Sequence, residues 1–149
     1  MLYLASQSPR RRALLRQLGQ PFRVVRSSHR ERIHPRRTPS WNAMRNAHGK
    51  AAKARVPRDA RGLVIGADTF LYFQGRVLGK PASMRQARAF LRSLSGRSHW
   101  VYTGVCVRDP RTGVHRCAYD KARVTFKRLT KEAITRVFRR VPPLDKAGG

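Results

Sequence analysis

The sequence predicts a single α/β domain, and three stretches carry that expectation. Residues 2–19, LYLASQSPRRRALLRQLG, read as a short apolar strand, a polar turn and an amphipathic helix; LVIGADTFLYF is long enough and apolar enough for a central strand; residues 98–108 and 114–126 alternate about a strong turn, as a long hairpin does. At 149 residues the chain has the length of one domain. Such a domain buries about 70% of the surface its unfolded chain exposes.

In the first stretch Ser8 is placed to cap the helix and Pro9 suits its first position. Ala13, Leu14, Leu15 and Leu18 form the expected apolar stripe, and Gly19 ends the helix. Arg10, Arg11 and Arg12 then occupy the positive end of the helix dipole, where each costs about 0.3–1 kcal/mol. An anion in the turn would remove that cost. Free backbone N–H groups, the Ser6 and Ser8 hydroxyls and the guanidinium forks would converge on a group the size of a phosphate. The competing reading is three ordinary surface charges in a chain with 34 Lys and Arg.

Those 34 basic residues against 7 acidic ones give a formal charge of +27, which attracts any polyanion whatever the fold. No apolar run approaches the length of a membrane span and no leader pattern opens the chain, so a cytoplasmic protein without a membrane partner is expected. Cys106 and Cys117 lie almost symmetrically about Asp109-Pro110-Arg111-Thr112-Gly113 and face one another across two strands. In a reducing compartment they are expected as free thiols, and a zinc site with His99 or His115 lacks ligand spacing.

Along the chain, Pro21 leads into a strand with Phe22, Val24 and Val25, followed by the basic loop SSHRERIHPRRTPS, which contains Glu31. Residues 40–55 have helical periodicity through Trp41, Met44, Ala47, Ala51 and Ala54, with Ser40 as cap, Gly49 as a weak point and Lys50 on the helix. Asp68 interrupts the apolar strand. Buried unpaired, a carboxylate there costs several kcal/mol, so it must meet cations, a metal or water, and its expected neighbours are Arg10 to Arg12 and Lys80. Gln74-Gly75 turns the chain back towards Gly79-Lys80-Pro81; Ser83 caps a helix with Met84, Ala87, Leu91 and Leu94 inward, and Ser95-Gly96 ends it. Thr130 caps a last helix with Ile134, Val137, Phe138 and Val141 on one face, stopped by Pro142-Pro143.

Six pieces, LASQSPRRRALL (4–15), IGADT (65–69), LGKP (78–81), LSGR (94–97), TGV (103–105) and LDKAG (144–148), occur in the order in which the sequence resembles the Maf family of nucleoside triphosphate pyrophosphatases. Arg11 after Ser8-Pro9-Arg10, Thr69 after Asp68 and the Asp-Lys-Ala-Gly ending resemble the subgroup acting on dTTP and UTP. The resemblance implies a central mixed, twisted sheet flanked by helices. It implies hydrolysis between the α and β phosphates to a monophosphate and pyrophosphate, a house-cleaning reaction on nucleotide pools, with a divalent metal, Mg²⁺ or Mn²⁺. It further implies Asp68 as proton acceptor and, with Glu31, metal ligand; Ser6, Ser8, Arg10, Arg11, Lys50 and Lys80 as phosphate-binding groups; Arg11 and Thr69 as specificity residues; and Asp145 and Lys146 beside the site. Arg30 stands where the family has an Asp before the Glu. Family members normally continue with an aromatic residue, a Gln-Gly pair used in base recognition, further strands and a last helix, so a domain incomplete at its C-terminus is expected.

The expected partners are therefore a nucleoside triphosphate, nucleic acid held non-specifically by charge and, as an open alternative, a second copy of the chain. Two rival functions stand beside the enzyme. One is a basic nucleic-acid-binding module using RERIHPRR and RVFRRV with Trp41, Tyr72 and Trp100 as stacking groups; the other is an inactive family member.

Overall fold

The computed structural model describes residues 1–140; Val141, Pro142, Pro143, Asp145 and Lys146, to which the sequence assigned a helix end and site-flanking roles, lie outside the described residues. The described chain runs β1 (Leu2–Leu4), α1 (Pro9–Gln17), β2 (Phe22–Val24), α2 (Pro39–Ala52), β3 (Leu63–Phe73), β4 (Arg76–Leu78), α3 (Met84–Leu94), β5 (Ser98–Arg108), β6 (His115–Thr125) and α4 (Lys131–Arg140). The strands form one sheet in the order β2-β1-β3-β5-β6, with β4 also paired to β3. Parallel pairing of β1 with β2 and β3, and antiparallel pairing of β3 with β4, make the sheet mixed, as expected. The register Leu2↔Leu63, Tyr3↔Val64, Leu4↔Ile65 fixes where β1 ends relative to β3. No helix among the described residues is long and apolar enough to cross a membrane.

Two compact units divide the chain: Met1–Asp68 with Thr103–Asp120, and Thr69–Tyr102 with the chain from Lys121 onward. In the first, Tyr3, Ala5, Ala51, Ala60 and Val64 form an apolar cluster against which Val25, Ala54 and Val56 pack. Helix α2 lies close on its strands because both surfaces are small. Ala43, Ala47 and Ala51 are almost fully buried, and a Cβ at Gly66 would collide with the α2 backbone at Ala47 and Ala51, one at Gly104 with Ala43 and Met44. Backbone thus meets backbone, which brings side chains of α2 within reach of the middle of β3.

The local expectations hold unevenly. Gly19 closes α1 at φ 66°, in the left-handed region that a side chain disfavours, and its N–H donates to Arg16 O. Ser8 occupies the cap position of α1 but its side chain makes no capping hydrogen bond. The leucine stripe is corrected as well: Leu15 is buried, whereas Leu14 and Leu18 are 61% and 66% exposed. The face α1 turns inward carries Leu15 and, one turn earlier, Arg11, so a cation shares the packed side. Helix α2 is capped two residues before the expected Ser40: Thr38 accepts from the Trp41 N–H at 3.2 Å, with Pro39 at the first position and Ser40 inside the helix.

Cys106 and Cys117 face one another across β5 and β6, as the hairpin turn predicted, but they are joined as a disulfide instead of standing as free thiols. Their Cα atoms stand 4.1 Å apart, close enough for the sulfurs to bond. Asp109 organises the turn between them, its carboxylate accepting the Arg111 N–H at 2.8 Å. Those backbone donors hold the Asp109 carboxyl below its ordinary value.

In the second unit, Gln74 (φ 46°) and Gly75 (φ 77°) make the tight turn between β3 and β4. Ser83 caps α3 by accepting the Gln86 N–H, and Ala87, Leu91 and Leu94 are buried as the periodicity required. Met84 was expected in the core and is instead 40% exposed. Ser95 and Gly96, at φ 68°, end the helix. Thr130 caps α4 through the Ala133 N–H, Ile134 is its buried contact, and Arg88 reaches α4 by a hydrogen bond to Thr135. His99 is buried with its ring edge-on to Phe126 at 4.9 Å and its Nδ1 without a partner among the described residues, and burial pushes its imidazole below the ordinary value of 6.5.

Candidate active site

Asp68 is the last residue of the first unit and is 4% exposed. Strand geometry explains the position: Gly66 inside the apolar strand lets α2 approach, and α2 supplies the polar groups that a buried carboxylate needs. Lys50 Nζ donates to Asp68 Oδ1 at 2.7 Å and to the Ala67 carbonyl at 3.1 Å. Asn46 Nδ2 donates to Asp68 Oδ2 at 3.0 Å. Lys50 also pairs with Glu31 Oε1 at 2.6 Å, so a single ammonium bridges a buried carboxylate and a half-exposed one.

Helix periodicity places these groups. Asn42, Asn46 and Lys50 are spaced four apart and share one face of α2, bordering the alanines that touch the sheet. Asn42 accepts the His34 N–H at 2.8 Å and donates to the carbonyls of His34, Arg37 and Thr38, pinning the end of the basic loop to the helix. Asn46 does the same for residues 29–32. The alanine periodicity located α2 but passed over this polar stripe. Two asparagines at four-residue spacing ahead of a lysine were the available signal.

Of the three consecutive arginines, only Arg11 turns towards the carboxylates. Burial pushes its guanidinium below its ordinary value, while Asp68 and Glu31 oppose that shift and Arg10 adds to it. Arg11 Nη1 donates to Ser6 Oγ at 3.1 Å, and the same oxygen accepts the Ser8 N–H at 3.3 Å. Ser6, Ser8 and Arg11 therefore form one connected turn at the start of α1. Arg10 is exposed, and Arg12 faces a hollow shared with Arg16, Gln20 and Phe22. Asp68 is held directly by Lys50 and Asn46, and Arg11 of the arginine run meets its field. Thr69 and Lys80 belong to the second unit, Thr69 directly after Asp68 on β3, Lys80 exposed in the loop after β4.

Among the described residues no group of three or more His, Cys, Asp or Glu could hold a metal ion. The donor set that does converge is two carboxylates, Asp68 and Glu31, on one cation. Hard oxygen donors in that small number suit Mg²⁺ or Mn²⁺, which take one or two carboxylates together with substrate phosphate oxygens. The aromatic groups that could stack on bases are engaged within the chain: Arg37 and Arg45 lie over Trp41 at 5.3 and 5.5 Å, Tyr72 packs edge-on to Tyr102 at 6.0 Å, and Lys121 lies over Trp100 at 5.1 Å.

The model of the family described as Maf-like protein matches residues 1–149. The dTTP/UTP pyrophosphatase of Pelotomaculum thermopropionicum is 45% identical over 99% of this chain and 76% of its own length. That of Moorella thermoacetica is 44% identical over 99% and 75%, and that of Bacillus cereus (strain ATCC 10987) 40% over 99% and 71%. With a family model covering the whole chain, and relatives this similar covered over most of their length, the protein belongs to the Maf-like family.

Proposed function

We propose that the protein hydrolyses nucleoside triphosphates, dTTP and UTP foremost, to the monophosphate and pyrophosphate, clearing nucleotide pools in the cytoplasm. The observation that carries this reading is the bridge Glu31–Lys50–Asp68, in which a buried carboxylate and a loop carboxylate meet one lysine beside the arginine-bearing turn of α1. Relatives named dTTP/UTP pyrophosphatase support the choice of bases.

In this reading Asp68 takes the proton of the attacking water as its oxygen bonds to the α-phosphorus; the bond to the α–β bridging oxygen breaks and pyrophosphate leaves. Lys50 and Asn46 fix the Asp68 carboxylate, and each of its oxygens keeps a lone pair for that proton. Arg11, Arg10, Ser6, Ser8, Lys50 and Lys80 neutralise the polyphosphate and the charge developing on the leaving group. Arg11 and Thr69 set base preference. Asp68 and Glu31 would hold a divalent ion, which supplies Lewis-acid polarisation of phosphate oxygens.

Pyrophosphate release is measured across dTTP, UTP, CTP, GTP and methylated GTP, with and without Mg²⁺ or Mn²⁺. Turnover that requires a divalent ion and is fastest with dTTP and UTP is the expected result. No release with any of them, accompanied by steeply salt-dependent RNA binding, would replace the reading with a nucleic-acid-binding module.

A further inference from the structure

We propose that Asn46 is a positioning residue whose single amide sets the places of both reacting carboxylates, Asp68 directly and Glu31 through its loop. Asn46 is fully buried on α2, one turn before Lys50. The backbone N–H of Arg32, which can only donate, meets the amide oxygen Oδ1 at 3.2 Å. That contact fixes which way the amide faces: Nδ2 points to Asp68 Oδ2 at 3.0 Å and donates to it. His29 Nε2 lies 3.2 Å from the same Oδ1 and must therefore carry the hydrogen it shares there.

The two residues that reach Asn46 stand on either side of Glu31. Arg32 follows it directly, and His29 precedes it by two positions. The His29 ring is seated against Gly49, where a Cβ would overlap the imidazole, so the glycine that looked like a weak point in α2 is the floor on which this ring rests. A closed circuit results: Glu31 to Lys50, Lys50 to Asp68, Asp68 to Asn46, and Asn46 back to the loop at Arg32. Lys50 alone could hold two carboxylates at many angles. The amide removes that freedom from both ends, because its oxygen holds the loop while its nitrogen holds one Asp68 oxygen and leaves the other to Lys50. An apolar residue of the same size would fill the space and do neither.

This inference rests on the reading of Asp68 and Glu31 as the reacting carboxylates, and its test separates the two. Hydrogen exchange of the Arg32 amide and steady-state pyrophosphate release from dTTP are measured for the full chain, for Asn46→Ala and for Asn46→Asp. Asn46→Ala loses both arms: the Arg32 amide exchanges at least about tenfold faster and kcat falls at least about tenfold, with KM held within about threefold. Asn46→Asp keeps an oxygen for Arg32 but turns a second oxygen on Asp68; Arg32 stays protected within about threefold of the parent, while kcat falls by at least as much as in the alanine variant. It also carries the test if the alanine variant does not fold. Wild-type kcat in a folded variant of either kind, or an Arg32 amide as protected in Asn46→Ala as in the parent, overturns the proposal. A parent that releases no pyrophosphate fails the hydrolase reading first, and takes the catalytic part of this one with it.

Discussion

Replacing Lys50 by Met separates what the two arms of the carboxylate bridge contribute. The Glu31 carboxylate is 49% exposed, and a pair of that kind contributes about 0–1 kcal/mol. Asp68, at 6% side-chain exposure, is different, because removing its cation leaves a charge inside the protein with the Asn46 amide as its remaining direct donor. Breaking a buried pair from one side costs about 3–5 kcal/mol. Arg11 faces the same carboxylates and moderates that cost, which places the expected loss near the lower end, about 3 kcal/mol. Urea unfolding near neutral pH gives the comparison: Lys50→Met loses about 3 kcal/mol, Glu31→Gln less than about 1 kcal/mol, and Lys50→Met/Asp68→Asn recovers most of the first loss by removing the orphaned charge. If Lys50→Met unfolds at the urea concentration of Glu31→Gln, or the double variant is no more stable than the single one, the burial argument for Asp68 is wrong.

Three further outcomes follow from particular contacts. Gly66→Ala drives a methyl into the α2 backbone, which cannot yield as a side chain can, and should cost about 3 kcal/mol in the same unfolding experiment; a loss under about 1 kcal/mol would mean that α2 is free to lift away from β3. His99, buried and neutral with its value lowered in the folded state, makes the unfolded chain the better proton acceptor between the folded value and about 6.5. Stability is then complete above that window and is lost as pH falls through it, and His99→Phe should flatten the slope below about pH 6.5; an undiminished slope would place the titration elsewhere. Arg11→Ala should raise KM by about tenfold and weaken the preference among bases, and an unchanged preference would reduce Arg11 to a charge on the turn.

The elements that give one unambiguous physical signal were legible in the residues. LVIGADTFLYF became β3 with the expected bounds, Gln74-Gly75 its turn, Ser83 and Thr130 their caps, and the order of strands and helices an α/β sheet of mixed direction. Asp68 stood out because a carboxylate in such a strand needs partners, yet the partners themselves were not legible. Lys50 and Asn46 reach it only because Gly66 and three alanines let a helix backbone descend onto the sheet, which is a property of packing and not of either segment. Periodicity misled at α1, where Leu14 and Leu18 look like a core stripe but the packed side is Leu15 with Arg11. Met84 failed for the same reason, since a pattern of apolar positions does not say which of them the fold covers. For the cysteines, the hairpin turn gave the facing positions, and the expectation of thiols came from the compartment, which the geometry of the strands does not encode.

The proposed role of Asp68 as acceptor of a water proton within a cationic nucleotide site is read out by the Asp68→Asn variant assayed for dTTP turnover and dTTP binding side by side. Pyrophosphate release should disappear while the nucleotide still binds with an affinity within about tenfold of the parent, since Lys50, Arg11 and the α1 turn remain. Turnover at the parent's rate in that variant would contradict the proposed role.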